Sequence, residues 1–487
     1  MNQAWTKLKL NRSVPIAILV AVALFVGATQ GRTLYNEFFY NYFNRECLSD
    51  SAPCGNPSKF ISWWTAKAFE NEAPNVQAYR KNARFYASPE VEALMRQTFW
   101  KNTDKALPID VIEPQSYFAD YSKGPNSVDV TRVLVDLSKL EMPHLYIRMR
   151  FELEEIAGMY KVKHLILKDG AKEKIQKFLA SIDPNPDTNL VKRNVQATRQ
   201  LRRGPIWGHS DFSKIAEEEI QKALAINPNF ALAHIELGRL ASFAGEDNKA
   251  VEHFQKAIDC NPSFVLGYLE LGDTYLKMRN EGFALSAFTK ATQADPLFAI
   301  AFGERAYVED LLHKDEIALA DLSHAILLDP SYSVAYYNRG INYYFSGHNR
   351  AALDDLNKAI SFYDGNASWF NLRARVKCSL KDPTGALRDA YKAIEMEPRN
   401  ADFYCTRSWA NAVAKSPDSA LRDANRAISL APKNDYAYRT RAFAKIDLKD
   451  LTGALEDMKI AVKLEPGNKF NMMGLKHVQA MLAKQKL

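Results

Sequence analysis

Five cysteines are scattered through 487 residues. None lies in a CxxC pair or is spaced with histidine as metal ligands are, which argues against both a disulfide scaffold and a structural zinc site. Nucleotide-binding and catalytic signatures are missing as well: there is no GxGxxG, no GxxxxGK(S/T), no HExxH and no GxSxG. The common dinucleotide, P-loop, zinc-protease and serine-hydrolase chemistries therefore have no local support. No catalytic residue, metal or cofactor is expected. Neither sign of charge dominates: 64 basic against 57 acidic side chains leave a net +7. That is a mixed surface rather than the concentrated basic stripe of nucleic-acid binders, so nucleic acid is not an expected partner. With 47% hydrophobic and 25% charged residues, the composition is that of folded globular domains, and the length suits two or three of them.

The long apolar run is Val14–Ala28 (VPIAILVAVALFVGA), preceded by Lys7, Lys9 and Arg12, the flanking charges that keep an N-terminus cytoplasmic. Extended over residues 13–30 it would reach about 27 Å as a helix, slightly short of a bilayer core of about 30 Å. It is either a transmembrane signal-anchor or the hydrophobic part of a cleaved signal, Val26-Gly27-Ala28 offering a small-residue cleavage site. The aromatic cluster Tyr35, Phe38, Phe39, Tyr40, Tyr42 and Phe43 suits a membrane interface and favours the anchor. On either reading residues 1–12 are a cytoplasmic tail and everything beyond residue 30 lies outside the cytoplasm, in the periplasm or a secretory lumen. Cys47 and Cys54, in the juxtamembrane stretch 31–72, either close a small disulfide loop there or remain two free thiols. Cys260, Cys378 and Cys405 read as small buried residues.

Residues 73–187 read as a small α+β domain. A helical stretch covers 73–106, and a second helix within it is opened at Ser88-Pro89-Glu90. Four runs rich in β-branched and aromatic residues follow, at 109–118, 128–137, 144–153 and 160–167, and they suggest an antiparallel sheet with a helix after it at 171–181. Glu152, Glu154 and Glu155 are expected on a strand edge and its turn, as solvated surface rather than acid/base groups. By element order alone, the region is similar to the cone-shaped domains of the nuclear-transport-factor-2 type.

From residue 228 onward the sequence is periodic. Prolines stand at 228, 262, 296, 330, 398, 432 and 466, each gap being 34 residues or twice that, and a period this strict means an array of identical structural units. Asp364-Gly365 takes the place of the missing proline. Seven units fill 229–466, each a helix, a turn and a second helix. A degenerate unit at 188–228 precedes them, with Ala216, Ile220 and Ala223 in its second helix. A capping helix at 467–487 follows, with Met472, Leu475, Val478 and Leu482 as its expected apolar face.

The windows resemble the tetratricopeptide repeat. Its aromatic, Leu-Gly, Ala, Phe, Ala and Pro positions fall on His234, Leu237-Gly238, Ala250, Phe254, Ala257 and Pro262, then on Tyr268, Leu271-Gly272, Ala284, Phe288, Ala291 and Pro296, with Tyr275 also in place. Alanine recurs at both close-approach positions of every second helix, from Ala250 and Ala257 to Ala454 and Ala461. The fold class this implies is mainly α: an α–α superhelix of tetratricopeptide repeats, after a transmembrane helix and a small α+β domain. Such hairpins bury their apolar faces only by stacking.

Units three to seven carry arginine where the family has leucine: Arg305, Arg339, Arg373, Arg407 and Arg441. Sixteen residues further on, across the turn, stand Asp321, Asp355, Asp389, Asp423 and Asp457. Units one and two have Leu237 and Leu271 at the first position and His253 and Ala287 at the second. Charge thus enters on both helices or on neither, as expected if an unpartnered buried charge is costly. These are read as structural ion pairs, and the same spacing suggests that each Asp can also reach the next unit's Arg.

In family members that bind peptides, the second, fifth, ninth and twelfth positions of the first helices line the concave groove. Here those positions give Tyr307, Tyr337, Ile341, Tyr344, Asn371, Arg375, Trp409, Tyr436, Arg439 and Phe443 as peptide-binding candidates. The alternative is that several of these rings pack on neighbouring units or against the chain's own N-terminal part. The Lys and Asn pattern that clamps a C-terminal carboxylate is replaced by Ile235 and Arg239, then Leu269 and Asp273, so heat-shock-protein tails are disfavoured. The functional expectation is a membrane-anchored, non-enzymatic scaffold binding protein or peptide partners, within an envelope or secretion assembly. The alternative is a periplasmic or lumenal chaperone holding export clients, and homo- or hetero-oligomers are left open.

Overall fold

The computed structural model describes residues 109–112, 127–136, 144–156, 159–168, 170–181, short helical pieces between 189 and 197, and 210–485. The tail, the apolar segment 13–30, Cys47, Cys54 and the expected helical stretch 73–106 lie outside the described residues. The chain divides into two compact parts, 1–278 and 279–487.

In the first part, β1 (Ile109–Ile112), β2 (Ser127–Asp136), β3 (His144–Ile156) and β4 (Met159–Leu167) form an antiparallel meander in the order β1-β2-β3-β4. Val130 faces Met149 and Val128 faces Phe151 across β2 and β3, and the ladder shifts register between Glu152 and Leu153 where β3 meets β4. Helix α1 (Ala171–Ala180) begins directly after β4 and packs on β3. Met149, Phe151, Leu165, Ala171 and Ile175 are buried there. Alternate residues on both faces of β3 are covered, Arg148 and Arg150 as well as Met149 and Phe151. Strand β3 runs to Ile156, three residues beyond the expected end at 153. Glu154 and Glu155 pair with Lys161 and Tyr160 inside the ladder and are not in a turn.

Helix α2 (Ser210–Ile226) buries Ala216, Ile220 and Ala223, as the degenerate unit requires. Then come α3 (Ala231–Phe243), α4 (Asp247–Cys260) and α5 (Val265–Lys277) in the first part, and α6 (Glu281–Ala294) opens the second. The pairs that follow are α7 (Ala299–Leu311) with α8 (Asp315–Leu328), α9 (Ser333–Phe345) with α10 (Asn349–Phe362) and α11 (Ala367–Ser379) with α12 (Pro383–Met396). They are succeeded by α13 (Ala401–Val413) with α14 (Pro417–Leu430), α15 (Asp435–Asp447) with α16 (Leu451–Leu464), and the final α17 (Lys469–Gln485). The chain is mainly helical, its helices packed in successive pairs.

The repeat dictates these elements locally. Each turn inside a repeat holds one residue in the left-handed region, at 34-residue intervals from Gly245 to Lys449: Gly245, Arg279, His313, Gly347, Lys381, Lys415 and Lys449. At Gly347 the amide donates to Tyr344 O and the next amide, His348, to Tyr343 O, a paired closure of the last helical carbonyls. Between repeats the caps change hands. In the early repeats the side chains of Asn227, Asn261, Asp295 and Asp329, each just before a proline, accept the amide two residues on. Later, Asn366, Asn400, Asn434 and Asn468 do so from the N-cap of the next helix. Every alanine of the two close-approach series is completely buried. Phe230, Phe264, Phe298 and Tyr332, a further 34-residue series that the sequence reading passed over, plug the entry to each early first helix at 4% exposure or less.

The cap differs from expectation by one residue. Helix α17 faces inward with Asn471, Gly474, Leu475, Val478 and Leu482, whereas Met472 is 39% exposed. The apolar pattern could not show this, because the inward position is the polar Asn471. Its amide donates to Asp435 Oδ2 and Ala461 O and accepts from Arg439.

Candidate peptide-binding face and its charged supports

Five arginines and five aspartates meet as the spacing implies. In each pair from Arg305–Asp321 to Arg441–Asp457, Nε donates to Oδ2 and Nη2 to Oδ1, at 2.5–2.9 Å. The aspartates are 1–8% exposed, and this two-pronged grip is the strong geometry for a guanidinium and a carboxylate. It holds each arginine above its usual range at Arg305, Arg339, Arg407 and Arg441. The expected link from each Asp to the next Arg does not form. The third prong, Nη1, instead reaches back to a neutral acceptor on the preceding second helix: Thr292, Ser323, Asn357 or Asn425, at 3.0–3.1 Å. In three of these four the acceptor lies two residues past the previous Asp, because the i and i+2 carboxylate and acceptor point to different neighbours.

One turn after the arginine, Lys377, Asn411 and Lys445 also donate to the aspartate, at 2.7–2.9 Å. The same position in repeat three is Glu309, 6% exposed, with Oε2 unpartnered. Burial, reinforced by Asp321, pushes its carboxyl up to about 7. In repeat one, where leucine replaces the arginine, His253 stacks on His234 with ring centres 6.0 Å apart.

The groove candidates lie on successive first helices, which touch one another from α7 to α15. Tyr307 and Phe443 are the open ones, 45% and 41% exposed. Tyr337 stacks on Trp369 at 5.2 Å. Ile341 and Tyr344 pack against Leu356, Leu372 and Val376, and Trp409 against Cys378, Ala386 and Ala410. Arg375 lies over Tyr344 at 5.3 Å and over Tyr436 at 5.9 Å. Arg439 lies over Tyr436 at 4.8 Å and over Phe470 of the cap at 5.7 Å. The face is therefore a row of rings interleaved with cations. Burial pushes the Tyr436 phenol up and Arg439 down. Arg375 Nε and Asn371 Oδ1 are buried without a hydrogen-bond partner.

Arg239 donates to Glu270 at 2.5 and 2.9 Å and to Glu236 at 2.9 Å, so this cation is consumed internally. Burial pushes Glu236 up to about 7, against the pull of Arg239. Cys378 and Cys405 are buried thiols, pushed by burial up to about 12. Among the described residues no group of His, Cys, Asp and Glu is arranged to hold a metal ion, and no helix is long and apolar enough to cross a membrane.

The fold so described is an α–α superhelix of hairpins of the tetratricopeptide kind. No protein-family model matches the chain, and no curated protein does. Solved structures are similar at low identity. One is a chain of the APC/C hetero-tetramer Cut9-Hcn1, 17% identical over 63% of this chain and 58% of that one, with a TM-score of 0.43. Another is a tetratricopeptide repeat protein from Parabacteroides merdae, 19% identical over 51% of this chain and 98% of its own, at 0.41. YrrB, described as a TPR protein with an unusual peptide-binding site, is 24% identical over 39% of this chain and 99% of its own, at 0.32.

Proposed function

We propose that the protein is a non-catalytic interaction scaffold whose first-helix face binds an extended segment of a partner protein. Residues 13–30 tether it in a membrane, with the N-terminus cytoplasmic and the repeats on the far side. The carrying observation is the row of rings and cations from Tyr307 to Phe443, drawn from the same repeat positions on α7 to α15. Rigid rings supply contact area at low entropic cost, and interleaved guanidinium groups supply direction. The charged pairs behind the face fix its register and take no part in binding.

The test is a crosslinking pull-down from membranes with the full chain. Tyr307→Ala combined with Phe443→Ala should lose a defined partner while the helical signal and melting temperature are kept, because both rings are open to solvent and support little of the core. Retention of that partner, or capture of many unfolded clients in its place, overturns the reading. A reporter fused after Leu487 that is active only in the cytoplasm overturns the topology.

A further inference from the structure

The arginines of the ion pairs each meet an aspartate. Arg375, two residues from Arg373 on the same helix, meets none: among the described residues its guanidinium contacts the rings of Tyr344 and Tyr436, and its buried Nε donates to nothing. Asn371, four residues earlier on α11, holds a buried Oδ1 that accepts from nothing. Buried donors and acceptors are nearly always satisfied in folded proteins, and a charged one left over needs a reason. Here two stand side by side on one helical face, a cationic donor and a neutral acceptor. Arg439, which shares the Tyr436 ring with Arg375, is itself spent on neutral Asn471 and that ring, so the neighbourhood favours an anion.

Resting on the peptide-binding reading above, we propose that Arg375 and Asn371 recognise a glutamate side chain within an extended partner peptide. The guanidinium pairs with the glutamate carboxylate, and Asn371 Oδ1 accepts the N–H of the peptide backbone. Tyr344 and Tyr436 hold the guanidinium in place and keep water from its faces. Residues four apart on a helix have Cβ atoms about 6 Å apart. A C-terminal residue carries its amide N–H and its carboxylate on one Cα and spans less than that. Glutamate, with two methylenes between backbone and carboxylate, reaches both groups at once. The site therefore reads an internal acidic side chain and not a chain end.

The experiment is an array of nonapeptides of varied sequence, capped at both ends, probed with the full 487-residue chain. A second copy of the array carries free C-terminal carboxylates. Wild type should enrich glutamate at one position of the bound capped peptides, with at least tenfold loss on Glu→Gln. Arg375→Gln should abolish that preference and leave binding of the remaining contacts. Asn371→Asp, nearly the same shape, supplies Arg375 with an internal carboxylate and should also weaken the glutamate peptides at least tenfold. It decides the matter if Arg375→Gln does not fold. A glutamate preference that survives Asn371→Asp, or binding that needs only a free chain end, overturns the assignment. Binding with no acidic preference overturns this proposal and leaves the groove reading standing, whereas wild type binding no peptide at all overturns both.

Discussion

Arg407 places its guanidinium 4.7 Å from the centre of the Tyr391 ring, on the second helix of the preceding repeat. Its four counterparts touch that helix by a hydrogen bond from Nη1 to Thr292, Ser323, Asn357 or Asn425. Each arginine thus ties two layers: its own hairpin through the aspartate, and the previous one through a weaker third contact. In Arg407 a ring face does what a hydroxyl or amide does elsewhere. Loss of the third contact should loosen the seam between repeats without breaking the hairpin.

Tyr391→Ala should accordingly cost about 0.5–1 kcal/mol, the size of a cation–π contact at an exposed ring, since Tyr391 is 57% exposed. Tyr391→Asn restores the hydrogen-bonding partner found at Asn357 and Asn425 and should lie closer to wild type than the alanine variant does. Urea denaturation of the three proteins checks the order. An alanine variant as stable as wild type would mean the ring contact contributes nothing.

Arg339→Leu alone should destabilise the fourth repeat by about 3 kcal/mol, the lower end for breaking a buried pair, because 19% of the Arg339 side chain is open to water. Arg339→Leu with Asp355→Ala should lose less, since no carboxylate is left behind in the hairpin. The natural precedents are repeats one and two, whose Leu237 and Leu271 are buried at 5% and 7%. Hydrogen exchange of the α9 and α10 amides reads the local effect. A double variant less stable than the single one would sink the argument.

These pairs were legible in the sequence because the period places both partners sixteen residues apart, equidistant from the turn of one hairpin. The two alanine series and the turns were legible for the same reason. The destination of Nη1 was not: it depends on how one hairpin leans on the next, which no spacing within a repeat encodes. The face shows the same limit. Its ten residues could be named by position, yet that Arg375 would lie over both Tyr344 and Tyr436, the latter two repeats further on, depends on how successive first helices pack. Asn471 escaped because an apolar pattern cannot find a polar inward residue. Glu309 was missed because it becomes unusual only once Asp321 is known to lie beside it, at the place where Lys377 and Lys445 meet their aspartates.

The turn residues offer a test of local strain. Gly347 has φ 83° and Lys381 φ 59° at equivalent places. A side chain in the left-handed region costs about 1–2 kcal/mol, partly offset by the freedom glycine has in the unfolded chain. Gly347→Ala should therefore lose about 1 kcal/mol, and Lys381→Gly should be neutral to about 1 kcal/mol more stable. Thermal unfolding followed by circular dichroism distinguishes the two. Equal losses at both sites would show that the turns are held by something other than backbone preference.

Glu309 should make the third repeat sensitive to pH. It is buried beside the gripped Asp321, where the homologous positions of repeats five to seven hold Lys377, Asn411 and Lys445 as donors. The groups that bear on it are Asp321 and Asp310, which disfavour its ionisation, and Arg305 and Lys314, which favour it; burial outweighs them and its carboxyl titrates at about 7 instead of 4.5. The folded state then holds a proton that the unfolded state releases at lower pH. Its contribution is fully present below about pH 4.5 and is lost as pH rises through 7, so stability should fall between pH 5 and 8. Glu309→Gln keeps the shape, carries no ionisable proton, and should remove that share of the fall, leaving the variant more stable than wild type at pH 8. Glu236, also pushed up to about 7, adds a slope common to both proteins, so the quantity to measure is their difference in urea midpoint at pH 5.5 and 8. A difference that does not change with pH would mean that Glu309 is ionised in the folded protein and is paired in some other way.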